Sequence, residues 1–161
     1  MNADLSEGRP SAAAGTRPAG AQSIAEILAA ARSRLTRVTP EQAFAEVGAG
    51  ARLIDIRPAG QRAATGEIPG SVVIERNHLE WRLDPASDAR LPWASGYDLR
   101  PIVICMEGYT SSLAAAALID LGFSQATDVA GGYQAWKAAG LPTAPAAEHT
   151  AVIAPGASAG G

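Results

Sequence analysis

Four short apolar runs, each separated from the next by a helical pattern, constrain this chain more than any other feature. They are Arg52-Leu53-Ile54-Asp55-Ile56, Ser71-Val72-Val73-Ile74, Ile102-Val103-Ile104 and Thr127-Asp128-Val129. The runs are continuous rather than alternating, as strands covered on both faces are. A further extended piece, Thr36-Arg37-Val38, comes before them. Strands that alternate with helices pack as a parallel sheet between helical layers. The expected fold is therefore α/β, with a central parallel sheet of about five short strands flanked by helices on both faces. Ligands of such sheets sit beyond the carboxyl ends of the strands.

The helix signals are local. Ser23 and Glu26 stand at capping-box spacing, and Ile24, Ile27, Leu28, Ala31 and Leu35 follow at helical spacing. This amphipathic helix is expected to lay its apolar stripe on the domain; a partner-binding helix is the alternative. Thr39-Pro40-Glu41-Gln42 is a second capping box with proline at the first helical position. Asn77 is placed to cap a short helix through Leu83, and Ser112 to Leu121 reads as a helix closed by Gly122. Trp81 and Trp136, both in helical settings, are expected in the core. One domain over 22–143 is expected, with the amphipathic helix leading it. Residues 1–21 and 144–161 are rich in Ala, Gly, Pro and Ser without periodicity, and are expected to be disordered tails.

Charge and composition remove several function classes. The net charge is −3 and Lys137 is the only lysine, so no basic footprint for nucleic acid is present. No stretch is long and apolar enough to span a bilayer. A single cysteine excludes an intramolecular disulfide and a Cys-rich zinc site, and His78 and His149 lie far apart. No metal is expected. With no secretory pattern at Met1, a cytoplasmic, reducing location is the expectation, and it suits a free thiol.

That cysteine stands where the run Ile102 to Ile104 ends and a short turn, Cys105-Met106-Glu107-Gly108-Tyr109-Thr110, leads into a helix. Backbone N–H groups and the positive end of a helix macrodipole converge at such a place and favour an anion. A thiol of pKa about 8.5 is only about 3% thiolate at pH 7. A shift to about 6.5 makes most of it thiolate and requires roughly 2.7 kcal/mol. One helix end supplies about 0.3–1 kcal/mol, so the remainder needs several loop N–H donors. Gly108 permits the backbone turn that aims them inward. Thr110 adds a hydroxyl, and Glu107 is expected to face solvent. Read alone, the turn suits either a sulfur nucleophile or a buried core cysteine; the flanking strand, glycine and helix start favour the nucleophile.

Taken together, these motifs resemble the single-domain rhodanese (sulfurtransferase) family. The six-residue turn from Cys105 to Thr110 is similar to that family's C-x-x-G-x-T/R loop. Asp55-Ile56-Arg57 resembles its D-x-R strand end, and Gly66-Glu67-Ile68-Pro69-Gly70-Ser71 its G-H-I-P-G-A element, with Glu67 where histidine is common. Val129-Ala130-Gly131-Gly132-Tyr133-Gln134-Ala135-Trp136 resembles its L-x-G-G-x-x-x-W signature. The resemblance implies a rhodanese-like fold and a ping-pong transfer of sulfane sulfur, from a small donor to a thiol, cyanide or protein acceptor. Cys105 would carry the sulfur as a persulfide, cradled by Met106, Glu107, Gly108, Tyr109 and Thr110. No cofactor is implied. Arg57 and Arg76 are the nearest candidates to bind an anionic donor. For Arg57 the alternative is a pairing with Asp55, and for Arg76 a solvated surface position. Tyr109 is either a wall over the sulfur or a loop anchor. The related phosphatases use a C-x5-R loop, whereas here the sixth residue after Cys105 is Ser111. A non-catalytic interaction module is the other alternative.

Overall fold

The computed structural model describes residues 15–146. Most of both expected tails lies outside the described residues. Strands β1 (Arg52–Asp55), β2 (Val72–Val73), β3 (Pro101–Ile104) and β4 (Thr127–Asp128) form one sheet in the order β2-β1-β3-β4. Every pairing is parallel, with Leu53 beside Ile102 and Asp55 beside Ile104. The sheet has four strands rather than about five. Val38 makes only an isolated parallel bridge to Val129. Thr39 already caps the next helix, so the extended piece is too short to continue the ladder.

Side-chain alternation along the strands builds two cores. Ile54, Val103 and Cys105 face α4 (Leu79–Leu83) and α5 (Thr110–Leu121), where they meet Leu79, Leu83, Ala114 and Leu118. Leu53, Ile102 and Ile104 face the opposite way, toward Ala43 of α2 (Pro40–Gly48) and Tyr133 and Trp136 of α6 (Gly132–Ala138). Both faces are thus covered, which is why the strands read as unbroken apolar runs. Ala114 and Ala115 are fully buried, and their small side chains let α5 lie close to the sheet. Two tryptophans part company here. Trp136 is buried and donates to the Pro142 carbonyl at 2.9 Å, whereas Trp81 is 60% exposed, on the outward side of a helix only five residues long.

Both capping boxes form as their spacing predicts. Asn77 does not cap. A 3-10 turn over Arg76–His78 precedes α4, and no side chain caps either element. Helix α1 (Ile24–Ser33) lies along α5, outside the sheet layers. Its apolar stripe is only half used. Ala31 is 8% exposed and Leu35 packs on the core, but Ile24 is 68% and Ile27 42% exposed.

Two exposed carboxylates help hold α1. Hydrogen bonds from the Ser23 backbone and hydroxyl keep Glu26 below its ordinary pKa. The Arg34 guanidinium, 2.5 Å from Asp120, lowers that carboxyl in the same way and is itself raised. Each carboxylate stabilises the docked helix above its ordinary pKa, and the contribution is lost as pH falls through the lowered folded value. Exposure and salt keep both effects small. At the other end of the domain, Ala144 exchanges two backbone hydrogen bonds with Glu67, at 2.8 and 2.9 Å.

Candidate active site

From β1 the chain winds outward to β2, and from β3 it winds the other way to β4. The carboxyl ends of β1 and β3 therefore flank a topological switch point, where open α/β sheets bind ligands. Cys105 lies at this point. It is 4% exposed and forms part of a cleft of about 360 Å³. Ile56, Arg57, Pro58 and Gln61 wall one side of the cleft; Met106, Glu107, Tyr109 and Thr110 wall the other. Glu107 is exposed, as expected.

The turn is held from outside by its carbonyls. The first free N–H groups of α6 take two of them: Tyr133 donates to the Cys105 carbonyl at 2.8 Å and Gln134 to the Met106 carbonyl at 3.1 Å. Two arginines take a third. Arg32 and Arg37 both donate to the Gly108 carbonyl, at 2.8 and 2.9 Å. In a planar trans peptide the N–H points opposite to the C=O. Anchoring these three carbonyls outward turns the N–H groups of Met106, Glu107 and Tyr109 to the other side of the turn. The Gly108 N–H is aimed directly at the Cys105 sulfur, 3.2 Å away.

Glycine is required where α6 meets the turn. Gly132 has φ +60°, and a β-carbon there would stand 2.5 Å from the Cys105 carbonyl oxygen. Gly108 has φ +86°, and a β-carbon there would stand 2.8 Å from the Gly131 nitrogen. The late Gly-Gly pair and the glycine of the turn are thus two sides of one contact.

The family model for the rhodanese-like domain matches residues 39–139. The chain belongs to the rhodanese-like family. Two relatives, each named thiosulfate sulfurtransferase GlpE, come from Stutzerimonas stutzeri and Pseudomonas entomophila. The first is 38% identical over 63% of this chain and 84% of its own length; the second is 34% identical over 65% and 87%. A solved structure from Rhodopseudomonas palustris, described as a protein of unknown function and possible tyrosine phosphatase, matches with TM-score 0.70 and 32% identity. It covers 76% of this chain and 94% of its own. The polysulfide-sulfur transferase homodimer of Wolinella succinogenes has the same fold, with TM-score 0.62 at 22% identity over 78% of this chain and 89% of its own.

Within this rhodanese-like domain the two candidate arginines are not free. Arg57 is fully buried and forks onto Asp55, with its Nη2 2.7 Å from Oδ2. It also donates to the Thr65 hydroxyl and the Gly66 carbonyl, both at 2.9 Å, and stacks 3.9 Å over the Tyr133 ring. The D-x-R strand end is thus a clamp joining β1, the 65–66 turn and α6. Arg76 is not among the residues that line the cleft, and it pairs with Glu80. Glu67, in the position where the family often has histidine, pairs with Arg62 at 2.7 Å.

Five residues that reading the sequence missed support the turn. Arg37 forks onto Asp128, at 2.9 and 3.1 Å, while it holds the Gly108 carbonyl. Ser111 and Ser112 both donate to the same fully buried Asp128, at 2.7 and 2.8 Å. Arg32 reaches Ser112 at 3.1 Å. One signal for this network was on view: a carboxylate in a strand buried on both faces requires partners.

Proposed function

We propose that this chain, a sulfurtransferase of the rhodanese type, carries sulfur as a persulfide on Cys105. What supports the reading is the Gly108 N–H aimed at the sulfur, inside a turn whose other N–H groups face away from their anchored carbonyls. A thiolate in such a bowl is held by fixed dipoles that need no rearrangement during reaction. The Cys105 thiolate attacks the outer sulfur of thiosulfate or another sulfane donor. The donor's S–S bond breaks, and sulfite or its equivalent leaves with the electron pair. A thiol, cyanide or protein nucleophile then attacks the terminal sulfur and returns the Cys105 thiolate. Cys105 is the nucleophile, Met106 to Thr110 form the cradle, and the transferring unit spans 22–143. A reducing compartment such as the cytoplasm suits the free thiol; among the described residues no helix is long and apolar enough to cross a membrane.

Phosphoryl transfer fits the site poorly. It needs a cation to hold the phosphate. Among the described residues the only cation in the cleft wall is Arg57, committed to Asp55, and position 111 is a serine bonded to Asp128. Intact-protein mass spectrometry after exposure to thiosulfate, 3-mercaptopyruvate or a protein persulfide tests the proposal. A gain of one sulfur atom at Cys105 is the expected result. No gain with any donor would favour the non-catalytic interaction module instead.

Arg37 acts through the turn rather than on the donor. Its charge polarises the Gly108–Tyr109 peptide and strengthens the Tyr109 N–H as a donor. Arg37→Ala is expected to lower the transfer rate about tenfold, well below the loss from deleting a direct donor. Arg37→Lys, which keeps the charge but not the fork onto Asp128, falls between. Steady-state kinetics at saturating donor would measure both.

A further inference from the structure

We infer that an apolar trough beside the Cys105 cleft receives the organic arm of a sulfur donor, so that a monoanionic organic thiosulfonate bearing an aryl or alkyl group is preferred over an inorganic dianion. The inference rests on the sulfur-transfer reading above. The trough measures about 430 Å³, within the range of small-molecule sites. Ile24, Ala25 and Leu28 of α1 line it from one side and Leu113 of α5 from another. Tyr109 and Thr110 complete it, and the same two residues wall the Cys105 cleft. Their hydroxyls are the only polar side-chain atoms among the lining residues. A molecule whose sulfur lies at Cys105 therefore has an adjoining apolar compartment across one shared wall. That wall is Tyr109, 59% exposed, together with Thr110.

Charge selects the same class. Among the described residues the one cation lining the cleft, Arg57, is buried against Asp55, while Glu107 adds a carboxylate at the rim. A dianion finds no unpaired positive side chain in that wall, and a monoanion with an apolar arm carries half the charge past Glu107. The α1 side of the trough also lies outside the span that the family model matches. Ile24, Ala25 and Leu28 precede residue 39, where the family match begins. Ile24, at 68% exposure, belongs to the half of the α1 stripe that packing on the domain leaves open, and Leu28 beside it is half-buried.

The chemical step balances without an added redox partner. The Cys105 thiolate attacks the outer sulfur of R–SO2–S⁻. The bond between that sulfur and the sulfonyl sulfur breaks, its electron pair leaves on the sulfinate R–SO2⁻, and Cys105–S–S⁻ remains.

The test compares benzenethiosulfonate with methanethiosulfonate on the full chain, with cyanide as acceptor. The reacting group and charge are the same and only the arm differs. Each kcat/KM is divided by the rate of that donor with free 2-mercaptoethanol, which removes intrinsic reactivity. The corrected preference for the aryl donor is expected to be about ten- to a hundredfold. Ile24→Gln and Leu28→Gln are each expected to cut that preference by about five- to tenfold. Ile24 is exposed enough that its replacement leaves the fold intact, which a melting curve checks. A corrected ratio near one, or a ratio that neither variant moves, overturns the inference and leaves the trough to a protein thiol or a second copy of the chain. Sulfur uptake by mass from methanethiosulfonate without aryl preference overturns the trough alone. Uptake from neither donor overturns the sulfur-transfer reading with it.

Discussion

Serine in place of Cys105 is expected to stop sulfur transfer, with a fall of roughly 10³-fold or more to the solution background, the scale seen when a covalent nucleophile is removed. A hydroxyl is not ionised at neutral pH and forms no persulfide. The fold is expected to survive. Serine is nearly isosteric, and the Gly108 N–H that meets the sulfur at 3.2 Å still has an acceptor. The buried hydroxyl costs about 1–2 kcal/mol at most, a fraction of a typical 5–15 kcal/mol. The measurement is paired: transfer kinetics and a thermal melt on the same sample. Residual transfer within tenfold of the parent, in a folded variant, would remove Cys105 from the chemistry.

Asp128→Ala is expected to damage both stability and transfer. This carboxylate is fully buried and accepts from Arg37, Ser111 and Ser112. Its removal leaves a partly buried guanidinium and two buried hydroxyls without their acceptor. Breaking such a pair from one side costs about 3–5 kcal/mol, because the stranded charge remains. For a domain of this size the melting temperature should fall by roughly 10 °C or more. Transfer should fall as well, even where the variant is folded, since Arg37 loses the fork that aims it at the Gly108 carbonyl. Asp128→Asn keeps an acceptor for the serines but not the charge, and should lie between. A melting curve unchanged in the alanine variant would mean that the network is decoration on a fold secured elsewhere.

Much of the fold was legible because its causes are local. The two capping boxes, Pro40 and the unbroken apolar strands are short-range signals, and each forms where its spacing places it. The turn at Cys105 was legible for the same reason: a strand end, a glycine and a helix start stand within a few residues. The supports of that turn were not. Arg32 and Arg37 lie 76 and 71 residues from the Gly108 carbonyl they hold, and no periodicity links them to it. Arg57 was ambiguous from sequence because an arginine at a strand end can reach a ligand or its own neighbour; complete burial beside Asp55 decides for the neighbour. Trp81 misled because a helix of five residues has room for one inward face, and Leu79 and Leu83, four residues apart, take it; Trp81, two residues from each, looks outward.

The Cys105 side chain packs with the α4–α5 layer, while its own carbonyl is held by α6 from the opposite side of the sheet. Neither half of the molecule can assemble the sulfur's surroundings without the other, and α6 is the last of the described helices to leave the ribosome. The turn around Cys105 is thus completed only when α6 docks and its N–H groups take the Cys105 and Met106 carbonyls. A copy in which α6 has not yet docked leaves those two carbonyls unheld, so the order of synthesis makes this turn one of the last parts of the molecule to set.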